Sequence, residues 1–248
     1  MDPAVLREDM VDSLEHEAKA VLDTERVALA MRDVPRQAFV DERVAYADRA
    51  TEVDGTTALA PSTAARLLEA LDAREGHSVL IVGVGVGYTA AVLAEVVGAA
   101  NVQAVDIDRN MVYTARRNLE RAGYGEVLVD GRDGSRGLPE YAPFDRILVE
   151  AAAVRPPRAL LDQLPEDGRL VMPMGAGEQT LVALDSGGEV LERVCPVAFR
   201  PLLIEGQQPG TLERNRTERE DREFAERHAQ RRHGWEQGWI DWERGRYG

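Results

Sequence analysis

Apolar residues recur at helical spacing through residues 4–32, with Leu6, Met10 and Leu14 followed by Val21, Val27 and Leu29. The spacing predicts two helices, closed by the turn Val34-Pro35-Arg36. From residue 79 the pattern switches to short β-branched runs separated by helical stretches. Strands are predicted near 79–83, 102–106, 126–129, 145–150, 168–173, 179–184 and 194–200, and helices near 88–98, 109–122 and 157–164. Such alternation implies an α/β fold: a doubly wound, mostly parallel sheet covered on both faces by helices. After residue 203 the pattern dissolves. Gly206-Gln207-Gln208-Pro209-Gly210 reads as a linker, residues 211–232 are dense in Arg and Glu, and Trp235, Trp239 and Trp242 follow at i, i+4, i+7 spacing. That spacing predicts a helix with one aromatic face, against which Gly234 and Gly238 count about 1 kcal/mol each.

The chemistry concentrates where the first long apolar run ends. Val79-Leu80-Ile81-Val82 leads into Gly83, Gly85 and Gly87, and then into the helical pattern Tyr88-Thr89-Ala90-Ala91-Val92-Leu93. Glycines at a strand's carboxyl end allow a tight turn and the close approach of a ligand, and the helix that follows offers free N–H groups and a positive dipole end. The next strand ends in Asp106, the spacing of a carboxylate that grips ribose hydroxyls. Tyr88 stands where a dinucleotide-binding G-x-G-x-x-G would have its third glycine, and Gly87 comes one residue early. This G-x-G-x-G form suits a nucleoside cofactor without a pyrophosphate, of which S-adenosyl-L-methionine is the common one. The plainer alternative is a glycine-rich turn in an ordinary α/β domain.

Composition narrows the picture. The chain has 248 residues and a formal net charge of −14, which argues against nucleic acid as a partner. No apolar run approaches the roughly 20 residues that cross a bilayer. The acidic Met1-Asp2-Pro3 start is not that of a signal peptide. Cys195 is the only cysteine, so no intrachain disulfide or cysteine metal site is expected, no metal is assigned, and a reducing cytoplasm is the expected compartment. Lys19 is the single lysine among 30 basic residues. Abundant carboxylates with almost no lysine predict a halophilic protein, although a GC-rich genome also favours Arg over Lys.

Ordered motifs along residues 5–204 resemble the protein-L-isoaspartate (D-aspartate) O-methyltransferase family. Val34-Pro35-Arg36-Gln37-Ala38-Phe39-Val40 is similar to V-P-R-x-x-F-V, Ala45-Tyr46-Ala47-Asp48 to A-Y-x-D, and Gly55-Thr56-Thr57-Ala58-Leu59-Ala60-Pro61 to G-Q-T-I-S-x-P. Residues 79–91 resemble V-L-E-I-G-T-G-S-G-Y-x-A-A, and 131–139, 142–149, 157–173 and 199–202 continue the likeness. The resemblance implies a class I methyltransferase (Rossmann-like) fold that uses S-adenosyl-L-methionine. It implies that Gly83, Gly85 and Gly87 pass beneath the methionyl part, Asp106 holds the ribose and Asp133 sits at the adenine. For Asp133 the alternative is a turn residue before Gly134. The implied substrate is the misplaced carboxylate of isoaspartyl residues in damaged proteins or peptides, whose methyl ester closes to a succinimide. The implied division is a helical and substrate-loop segment at 1–75, a cofactor domain at 76–204 and an extension at 205–248, with the oligomeric state left open.

Within the resemblance the chain departs from the family at the site itself. Leu59 stands at the serine usually assigned to catalysis, Ile81 at the acid that helps hold the methionyl end, Val86 at a serine between glycines, and Arg200 in the closing F-V-P-L. Thr57 and the loop backbone remain as donors, so the catalytic assignment covers Thr57 and Leu59. Two readings follow: an isoaspartyl methyltransferase, or a catalytically impaired or repurposed paralogue that binds cofactor or protein partners without that reaction.

Overall fold

The computed structural model describes residues 2–16 and 19–204. The chain begins with α1 (Pro3–Glu15), started by Pro3 at its first position and by Asp2, whose carboxylate accepts from Ala4 N–H at 2.9 Å. α2 (Glu25–Asp33) buries Val27, Ala28, Ala30 and Met31 along one face. Arg32, on the other face, donates to Glu8, Asp12 and Glu15 of α1 at 2.7–2.9 Å. These three bonds hold the guanidinium pKa above its ordinary value. A 3₁₀ turn (Arg36–Ala38) leads to the hairpin β1 (Thr51–Val53) and β2 (Thr56–Ala58), and then to α3 (Pro61–Leu71). Asp54 and Gly55 join the two strands with φ of 49° and 86°, the left-handed pair that a two-residue hairpin turn requires.

The sheet follows in the order of the chain: β3 (Val79–Val82), α4 (Tyr88–Val97), β4 (Val102–Asp106), α5 (Arg109–Ala122), β5 (Leu128–Gly131), β6 (Arg146–Val149), α6 (Arg158–Leu161), β7 (Arg169–Met174), β8 (Gln179–Leu184) and β9 (Val190–Val197). In space the order is β5-β4-β3-β6-β7-β8-β9, with β3 to β7 parallel and β8 and β9 antiparallel at one end. Alternate residues face opposite sides. Val79, Ile81, Ala104, Leu148 and Val171 join the core shared with α1 to α5, while Leu80, Val82, Val105, Ile147 and Met172 pack with Phe144, Leu160 and Leu138 on the other side.

The α/β, mostly parallel architecture is therefore the one expected, and most elements fall within two residues of their expected bounds. Three differ. The helix expected at 157–164 has only four helical residues, and Gln163 beyond it uses its side-chain amide to bond Leu138 N–H and the carbonyls of Arg136 and Ala159, each at 2.8 Å. The last strand begins at Val190 rather than 194, because it is drawn into register along all of β8. The β1–β2 hairpin and α3 were not among the expected elements. Residues 1–75 do not stand apart from the sheet, since Val11, Met31 and Leu67 lie in the same core as Val79 and Ala183. The expectations for residues 205–248, the tryptophan-bearing helix included, lie outside the described residues. No helix among the described residues is long and apolar enough to cross a membrane.

Candidate active site

The carboxyl ends of β3, β4 and β6 open onto one cavity of about 410 Å³. Its floor is the turn after β3. Gly83 and Gly85 have φ of 88° and 52°, and Gly83 and Val84 both donate to the carbonyl of Val105, which folds the turn back over β4. A Cβ on Gly85 would point into open space, so bare backbone faces the cavity there.

Asp106 closes β4 beside this turn. Its two oxygens accept from Gly85 N–H at 3.1 Å and from Asp108 N–H at 2.9 Å, which fixes the carboxylate while leaving each oxygen a further lone pair. Burial pushes its pKa up, and the backbone donors pull the other way. A carboxylate held so, next to exposed glycine backbone, fits vicinal hydroxyls of a nucleoside.

The opposite wall is the segment from Thr56 to Ala60. Leu59 lines the cavity and packs against the core, and its carbonyl accepts from Arg36, which also donates to the Ala45 carbonyl at 2.8 Å. The Arg36 guanidinium is buried and lies 4.4 Å from the centre of the Tyr88 ring. Thr57 lines the same wall, but its hydroxyl hydrogen is committed to Glu52 at 2.6 Å. Arg200 holds Glu52 and the Gly55 carbonyl in turn, at 3.2 and 2.5 Å, so a residue that departs from the family motif anchors the hairpin to the cavity. Arg66 and Arg200 bring two cations to a molecule that is otherwise acidic.

Of the residues singled out in the sequence, Gly83, Gly85, Asp106, Thr57 and Leu59 meet around this cavity. Gly87 and Asp133 are not part of its lining. A Cβ on Gly87 would come within 3.3 Å of Leu119 and 3.5 Å of Ala115, so this glycine lets α5 approach the turn. Asp133 caps the short helix Gly134–Arg136, accepting from Ser135 N–H at 3.0 Å and its hydroxyl at 2.6 Å. Ile81 is fully buried in the larger core and does not reach the cavity.

Glu150, just beyond β6, was missed. It lines the cavity with Asp106, accepts from the Thr89 hydroxyl, and is pushed up to about 8 by burial, with Asp106 adding to the shift. Its signal was its place, an acid at the carboxyl end of an apolar strand, as Asp106 is.

A parallel sheet with a glycine turn after β3, an acid ending β4 and a cavity at the strands' carboxyl ends defines a class I methyltransferase fold. Residues 6–205 match the family described as Protein-L-isoaspartate(D-aspartate) O-methyltransferase, and the chain belongs to that family. A protein-L-isoaspartate O-methyltransferase of Methanothrix thermoacetophila is 44% identical over 186 residues, 73% of this chain and 89% of its own. One from Roseiflexus sp. is 40% identical over 221 residues, 86% of this chain and 98% of its own. In fold, the chain is similar to a Plasmodium falciparum protein-L-isoaspartate O-methyltransferase solved in complex with S-adenosyl-L-homocysteine. The TM-score is 0.70 at 22% identity, over 79% of this chain and 98% of that one.

Proposed function

We infer that this chain transfers a methyl group from S-adenosyl-L-methionine to the carboxylate of isoaspartyl residues in damaged proteins. One observation carries the reading: the glycine turn with Asp106 and the segment around Leu59 face each other across a single cavity. Gly83 and Gly85 form the floor for the cofactor, Asp106 holds its ribose hydroxyls, and Asp133, past the neighbouring strand, borders the adenine side. When bound, the cofactor supplies a methyl group activated on a sulfonium.

The acceptor carboxylate has a pKa near 4 and is already ionised at neutral pH, so no side chain has to act as a strong base. The work left to the protein is alignment, which can lower a barrier by about 7–11 kcal/mol. Arg66 and Arg200 draw a carboxylate into the cavity, and Leu59 keeps water from its inner wall. The second reading, a paralogue without isoaspartyl methylation, has in its favour that no serine stands at Leu59 and that the Thr57 hydroxyl is turned to Glu52. The single cysteine and the charge of −14 support a reducing, salt-rich cytoplasm as the protein's setting and argue against nucleic acid as a partner.

The test is titration with S-adenosyl-L-homocysteine in molar KCl, followed by methylation of an isoaspartyl peptide and its aspartyl twin. Binding in the micromolar to submillimolar range and transfer to the isoaspartyl peptide alone are the expected results. Binding without transfer selects the second reading, and absence of binding at millimolar ligand removes the first.

A further inference from the structure

The acid of the family's glycine motif is missing at Ile81, yet a carboxylate stands one strand away, at Glu150. β3 and β6 are parallel neighbours with Ile81 level with Leu148, and Glu150 N–H donates to the Val82 carbonyl at 2.8 Å. A Cβ on Gly83 would lie 3.8 Å from the Cβ of Glu150, so the side chain starts beside the glycine turn.

The strand order β5-β4-β3-β6 then gives the cavity side a sequence of its own: Asp133 past β5, Asp106 ending β4, the glycines after β3, and Glu150 after β6. Neighbouring strands lie about 4.8 Å apart, so three steps span about 14 Å, which suits an extended nucleoside carrying an amino-acid chain. With the ribose at Asp106, the amino-acid end belongs at Glu150. That end carries a cation.

We propose that Glu150 binds the cofactor directly, receiving the α-ammonium group of its methionyl end, in place of the acid absent at Ile81. The inference rests on the methyltransferase reading above. The surroundings give it a further property. Thr89 from α4 and Asp106 from β4 act directly on the Glu150 carboxyl. Tyr88 on α4 and Arg36 before β1 border it on one side, and Arg66 of α3 with Cys195 and Arg200 lie further round the cavity. Burial keeps the carboxyl protonated to about pH 8 when nothing is bound. Arrival of the ammonium breaks the carboxyl O–H bond, the proton leaves to solvent, and the carboxylate faces the cation.

The experiment is calorimetric titration of wild type and Glu150→Gln with S-adenosyl-L-homocysteine, at pH 7.2 in phosphate and in Tris, and with adenosine as a ligand that lacks the amino-acid end. In the wild type we expect close to one proton released per ligand and affinity that tightens about tenfold per pH unit from 6 to 8. In Glu150→Gln we expect S-adenosyl-L-homocysteine to bind about tenfold weaker or worse, with no proton release, while adenosine binds both proteins alike. Glu150→Gln that binds within about twofold of wild type, or still releases the proton, overturns the proposal, as does a variant unchanged in binding but impaired in transfer to peptide. A wild type that binds neither ligand overturns the methyltransferase reading and this proposal with it.

Discussion

Leu59 shows how one side chain can change the chemistry of a wall without changing its course. The loop's path there is held through the Leu59 carbonyl, which accepts from Arg36, while the side chain packs against the core and lines the cavity. Leucine offers bulk and no donor toward an acceptor carboxylate. Leu59→Ser should therefore raise the rate of isoaspartyl peptide methylation by about tenfold or more, since a hydrogen bond to a charged group contributes about 1.5–3 kcal/mol. The comparison is of initial rates at saturating cofactor. A fully active wild type that the serine slows would mean that the wall is shaped for a more apolar acceptor, and the argument from the missing donor would fall.

At the scale of elements, Arg36 is the tie between the 3₁₀ turn, the stretch at Ala45 and the cavity wall at Leu59. Arg36→Met leaves two carbonyls without their donor, each at a cost of about 1–3 kcal/mol, and the unfolding free energy should fall by about 2–6 kcal/mol. Denaturant melts measure it, and a loss below about 1 kcal/mol would show that the guanidinium is not the tie. The parts of the fold that could be read from the sequence are those whose cause is local. The strands of the parallel sheet announce themselves as apolar runs, and the glycines with Asp106 follow from a strand, a turn and a second strand close in the chain. α3 also carried a local signal that was overlooked, Pro61 at its first position followed by Ala64, Leu67, Leu68 and Leu71 at helical spacing. The hairpin carried an overlooked signal in Asp54-Gly55, but its three-residue strands are largely polar and depend on Arg200, far along the chain. Glu150 stood out locally only as an acid at the end of an apolar strand. Its meaning comes from β6 lying next to β3, a fact of topology and not of spacing.

For the molecule as a whole, the charge of −14 is spread over many carboxylates, and among the described residues many of the ion pairs that answer them are exposed arginine contacts, such as Arg158 with Asp162. Pairs of this kind contribute about 0.2–1 kcal/mol and weaken as salt rises. The repulsion among unpaired carboxylates weakens too, because the screening length drops from about 10 Å at 0.1 M to about 3 Å at 1 M. With this excess of like charge, repulsion is the larger quantity, so the thermal midpoint should rise between 0.1 and 1 M KCl. A midpoint that holds level or drops would assign the acidic surface to something other than tolerance of salt. The shared core of the N-terminal helices and the sheet has a consequence for how such a protein can change over time. Val11, Met31 and Leu67 cover the same interior as Val79 and Ala183, so the first seventy-five residues are not a cassette that recombination could exchange. New acceptor preferences have to arise by substitution in place, one wall residue after another, and Leu59 and Arg200 both stand on such a wall.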